Sequence, residues 1–166
     1  MSIDRGQTPS SGATQDDSDL RNTVVVPSPD LLARILEMQG LKYIALESGP
    51  VVLLYEQLEM YVEFVGKAEN NEEQIVSLRL DYHRRYRREH ATDILWIVNT
   101  WNQQNRWPRL AVDRNDDAVS VTGDAHMPVG SGVGLMHFLE TLRTWMQWAM
   151  VADEYLGSAV DDSMEA

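Results

Sequence analysis

Apolar residues recur along this chain with two periods, and the period switches where turn residues fall. The clearest period of two runs through Val76, Leu78, Leu80 and Tyr82, with Ser77, Arg79, Asp81 and His83 between them. That alternation predicts a strand with one buried and one wet face. Leu58, Met60, Val62 and Phe64 alternate similarly with Glu59, Tyr61 and Glu63. Leu54, Leu58, Tyr61, Val62 and Val65 would also suit a helix, but the apolar run Val51–Tyr55 and Gly66 favour two short strands. A short strand is expected around Tyr43, Ile44 and Leu46, before the turn Ser48-Gly49-Pro50. Leu110 and Val112, then Val119 and Val121, bracket Asn115-Asp116-Asp117 and predict a hairpin.

Three stretches follow the helical period instead. Ser28-Pro29-Asp30 is a start signal, Leu31, Leu32, Ile35, Leu36 and Met38 form the stripe, and Gly40 closes it. A second helix is expected from about Thr92 to Gln104, with Ile94, Ile97, Val98 and Trp101 on its apolar side and Trp107-Pro108 as its stop. The longest runs from about Val133 to Leu156, and Met136, Trp148, Met150 and Val151 widen its stripe beyond what one sheet face covers. The order α-β-β-β-α-β-β-α, with adjacent strands joined by short turns, predicts an α+β domain. Its two layers are an antiparallel sheet and the helices packed against it.

Composition narrows the function classes mainly by exclusion. The 166 residues include no cysteine, so disulfides, thiolate metal sites and cysteine nucleophiles are out. The net charge of −12 opposes nucleic-acid binding, which starts from a positive field. Much of that charge sits at the ends: residues 153–166 hold five carboxylates and no base. Residues 1–23 are polar and are expected to be a disordered tail; residues 24–156 form the domain, and residues 157–166 a flexible acidic tail. With no signal-peptide core and no apolar run near membrane-spanning length, a cytoplasmic location and no membrane association are expected.

Several wordings resemble the YbjN family, in particular its actinobacterial members. They are Val25-Val26-Pro27 leading into Leu31-Leu32, then Gly40-Leu41-Lys42-Tyr43, and above all Asn99-Thr100-Trp101-Asn102 followed by Trp107-Pro108-Arg109-Leu110-Ala111-Val112. Gly132-Val133 before the last helix is the third. The resemblance implies a fold similar to type III secretion chaperones, small cytoplasmic dimers that hold a client segment, and a label of sensory transduction regulator. It supplies no catalytic residue.

The candidate sites divide by chemistry. Trp145, Trp148, Met146 and Met150 on the last helix, with Trp107, are the expected partner-binding residues, because Trp and adaptable Met favour interfaces. Asn99, Trp101, Asn102 and Trp107 form either a recognition surface or a helix end with its turn and core residue. Arg84-Arg85-Tyr86-Arg87-Arg88 suits an acidic client, a phosphate or the chain's own acidic tail, or is a solvated strand extension. Gly130-Ser131-Gly132-Val133-Gly134 lacks the Lys-Ser/Thr of a phosphate loop and reads as a turn. His83, His90, His126 and His137 fall in separate elements without ligand spacing, and Glu72-Glu73 and Asp116-Asp117 look like loop residues. No metal, cofactor or catalytic set is therefore expected. The reading is a non-catalytic, chaperone-like or regulatory protein-binding module, expected as a homodimer with an unidentified partner. A small-molecule-binding or hydrolytic domain, with a pocket under the Gly130–Gly134 turn, is the alternative.

Overall fold

A computed structural model describes residues 23–46, 49–66, 74–114, 118–160 and 164. The N-terminal tail at 1–22, the pairs Glu72-Glu73 and Asp116-Asp117 and the turn at Asn115 lie outside the described residues. In chain order the elements are β1 (Val24–Val25), α1 (Pro29–Met38), β2 (Ile44–Ala45), β3 (Val51–Leu54), β4 (Leu58–Val65) and β5 (Ile75–Tyr86). There follow α2 (Ala91–Gln104), β6 (Arg109–Arg114), β7 (Val119–Pro128), β8 (Val133–Gly134) and α3 (Leu135–Ala159). Six strands form one antiparallel sheet in the order β2-β3-β4-β5-β7-β6, and β1 pairs with β8 in a separate corner. The α+β reading holds. The short strand expected around Tyr43, Ile44 and Leu46 is β2, which pairs with β3 over two residues, so four strands rather than the three of the expected order separate α1 from α2. The β1–β8 corner is equally short, too short for any period to reveal.

Register explains the core. Leu53 faces Met60, Met60 faces Leu80, Leu80 faces Gly123 and Gly123 faces Leu110, so one continuous apolar row crosses five strands. Gly123 is where this row crowds: a Cβ there would stand 3.1 Å from Leu80, 3.2 Å from Leu110 and 3.3 Å from Pro108. All three helices contribute to the same buried cluster on this face. The opposite face is polar. Tyr61 opposes Arg79 and Arg79 opposes Asp124, with the Arg79 guanidinium over the Tyr61 ring and 3.4 Å from Glu63.

The helix ends follow their sequence signals. The Ser28 hydroxyl accepts from the Leu31 amide at 3.2 Å, and Gly40 takes φ +67° just beyond α1. The Gly40 amide donates to Glu37 and the Leu41 amide to Leu36, which is the paired closure of a Schellman motif. Its usual apolar contact would bring Leu41 onto Leu36. α3 runs three residues past Leu156, and its end is held by β5. Arg84 Nε lies 3.2 Å from the buried carboxylate of Asp153, and the guanidinium crosses the helix where a Cβ on Gly157 would come within 2.7 Å. One turn earlier, the Tyr82 hydroxyl donates to the Ala149 carbonyl at 3.3 Å. Burial, with the Asp153 charge adding to it, pushes the Tyr82 phenol far above its ordinary range.

Candidate functional site

Residue spacing along α3 sets what each flank can do. Phe138, Leu142, Trp145, Ala149, Ala152 and Leu156 recur at three and four residues and are buried toward the sheet. Side chains one step to either side of that stripe meet α2 on one flank and α1 on the other.

The α2 flank is filled. Trp101 is 2% exposed, and its ring stands 6.3 Å from that of Trp148 at 69° and 5.2 Å from that of Tyr155. Its indole N–H donates to the Pro108 carbonyl at 2.9 Å, and the Tyr155 hydroxyl donates to Ile97. Beside it the Asn102 amide donates to the Leu110 carbonyl at 2.8 Å and accepts from the Leu110 amide at 2.9 Å. That amide thus does what a neighbouring strand would do for β6, the strand at the sheet edge. The Asn-x-Trp-Asn wording therefore serves structure, through Trp101 and Asn102, while Asn99 is exposed.

The α1 flank is hollow. A cavity of about 620 Å³ opens between α1 and α3, within the rough 300–1,000 Å³ range of ligand pockets. Its walls are Leu32, Ile35 and Leu36 of α1 with Leu41, and Met136, Leu139, Leu142, Trp145 and Met146 of α3. Leu53, Val62 and Leu78 floor it from three adjacent strands. The polar residues lining it are Gln39, Glu140 and Arg143, all exposed. The Arg143 side chain has no ion pair or hydrogen bond among the described residues. Trp145 is 2% exposed and its indole N–H is buried without a hydrogen-bond partner among them.

The five expected partner-binding residues are thereby separated. Trp145 is in the core and, with Met146, lines the cavity. Trp148, 38% exposed, lies at the surface on the α2 flank, Trp107, also 38% exposed, follows the end of α2, and Met150 is on the outer side of α3. Trp145 is thus not an outward-facing residue, since it shares the inward stripe with Ala149 and Leu142. Trp96, 68% exposed on α2, was not singled out from sequence, and Val151 was read only as widening the α3 stripe. Trp96 was legible there, because it falls off the stripe of Ile94, Ile97 and Trp101.

The other motifs resolve into local structure. Gly132 adopts φ +105° with Val24 Cγ1 2.8 Å from where a Cβ would sit, so the glycine turn closes the β1–β8 corner. None of residues 130–134 lines the cavity, which begins at Met136. The basic cluster ends β5: Arg84 holds Asp153, Arg85 donates to the Tyr82 carbonyl, and the Arg87 amide donates to the Met164 carbonyl at 2.8 Å. His83, His90 and His126 each stand beside an acidic neighbour, respectively Glu59, Asp93 and Asp124. Among the described residues no three metal-ligating side chains converge, and no helix is long and apolar enough to cross a membrane.

A family model described as "Putative bacterial sensory transduction regulator", YbjN, matches residues 28–157. A crystal structure of YbjN from E. coli, named there "a putative transcription regulator", is similar with a TM-score of 0.65 and 14% identity. It covers 87% of this chain and 99% of that one, a likeness of fold. No curated protein sequence matches the chain. The family match runs from the N-cap of α1 to the turn of α3 under Arg84 and takes in both flanks, and by it the chain belongs to the YbjN family.

Proposed function

We propose that this chain is a non-catalytic regulator that works by binding another protein through the outer face of α3. One observation carries the reading: Trp148, Met150 and Val151 lie within four residues of one helix, and each leaves more than a third of its surface in water. Trp and Met are the residues that interfaces enrich, and burying their exposed apolar surface is the main favourable term in association. Trp107, equally exposed beyond the end of α2, is a second candidate. The charge of −12 favours a protein partner over nucleic acid, and the cytoplasm is the expected place of action. The partner expected first is a second copy, as a homodimer, and a chaperone-like hold on a client segment would use the same residues.

Light scattering on the full chain tests this, with Trp148→Glu alongside. The wild type is expected as a dimer and the variant as a folded monomer, because a carboxylate at the seam would be desolvated without a partner. A wild-type monomer that also captures no stoichiometric protein after crosslinking overturns the reading. So does a partner retained in full by the variant. A second reading is favoured by the α1–α3 cavity, whose volume and apolar walls suit a small molecule.

A further inference from the structure

We propose that the α1–α3 cavity binds a single-chain amphiphile with an anionic head, of the long-chain carboxylate class, its chain inside and its head on Arg143. This rests on the small-molecule reading of the cavity and is independent of the α3 surface. The walls and floor are aliphatic or aromatic, and Met136 and Met146 can repack around a flexible chain. The polar residues that line the cavity are the exposed ones, as an amphiphile requires. Among these Arg143 is the one cation, and it makes no ion pair among the described residues, so a carboxylate there would gain a guanidinium contact without displacing another acid. Glu140 is the opposing charge at the same mouth and sets the sign of a second test.

The chain's own ends are poor occupants. Residues 1–22 contain Met1, Ile3 and Leu20 as their large apolar residues among four Asp, and residues 161–166 contain only Met164. Neither offers the apolar stripe that a helix would need to fill the slot.

Calorimetric titration of the full chain with myristate, laurate and tetradecanol, below their aggregation concentrations and at low ionic strength, decides the matter. One myristate is expected per chain, bound more tightly than laurate by roughly fourfold for each additional methylene buried. Arg143→Gln should weaken myristate about threefold and Glu140→Gln should strengthen it by a similar factor, while tetradecanol responds to neither. Both positions are exposed, so neither variant threatens folding. Leu139→Trp, whose fold is checked by circular dichroism, should abolish binding by filling the slot. The proposal is overturned if myristate fails to bind, if it binds the folded Leu139→Trp variant unchanged, or if acid and alcohol respond alike to the two charge variants. Sedimentation with anionic vesicles without binding of free myristate would overturn it too. Loss of dimerisation in Trp148→Glu with myristate binding retained would leave it standing, which separates it from the α3 surface.

Discussion

The two flanks of α3 are both lined by large apolar side chains and end in opposite states. On the α2 side Trp101, Trp148 and Tyr155 interlock, one indole and one phenol find carbonyls, and Asn102 stitches the helix to β6. On the α1 side Leu, Ile and Met face one another across about 620 Å³ of open volume, and the Trp145 N–H finds no acceptor among the described residues. Helix α3 cannot relax into that space freely, because Tyr82 and Arg84 of β5 tie Ala149 and Asp153 in place. A hollow between anchored elements leaves its walls short of dispersion contacts. Such a region is better suited to taking a ligand than to holding a fold together.

The comparison breaks first at its strongest point. Trp101→Ala should cost about 4 kcal/mol in urea unfolding, because a buried ring and its packing are both lost. Leu139→Ala on the hollow flank should cost about 1 kcal/mol, since its side chain is half-buried beside space already empty. Equal costs would mean that the two flanks carry the same load. Next is the anchor: Arg84→Met strands the Asp153 carboxylate and should cost about 2–3 kcal/mol, with Asp153→Asn restoring part of it. Arg79→Met, whose pair with Glu63 is exposed, should stay within about 0.5 kcal/mol.

Asn102→Ala removes both bonds to Leu110 and should cost about 2 kcal/mol, with faster amide exchange at Leu110 as the local sign. The effect at Tyr82 is a pH dependence. Its pKa is raised in the folded state, so its contribution is complete below the unfolded value of about 10 and is lost as pH climbs above that. Wild-type urea midpoints should therefore fall above about pH 10, and Tyr82→Phe should fall less steeply while starting about 1 kcal/mol lower for its lost hydrogen bond.

Much of this was legible along the chain because short-range periods report which side of an element is dry. The alternation at Val76–Tyr82 and Leu58–Val62 marked the buried sheet face residue by residue, and Ser28 with Gly40 marked both ends of α1. Of the two-residue strands, β2 was expected around Tyr43, Ile44 and Leu46, whereas the β1–β8 corner was not legible, since its pairing is set by partners distant in sequence. The cavity was not legible either: it is a relation between α1 and α3 across β3, β4 and β5, and no local pattern encodes a gap. Trp145 and Trp148 show the limit within one helix. Three residues apart is close enough to read as one stripe, yet the angular step places one ring in the core and the other at the surface.

The most direct test of the hollow flank as the ligand site is a nuclear magnetic resonance titration of the indole N–H signals of the full chain with myristate. The Trp145 signal, unpartnered in the cavity wall, should move in a saturable way, while the Trp101 signal, already bonded to Pro108, stays in place. Movement of Trp101 with Trp145 unchanged, or of neither, would contradict the assignment.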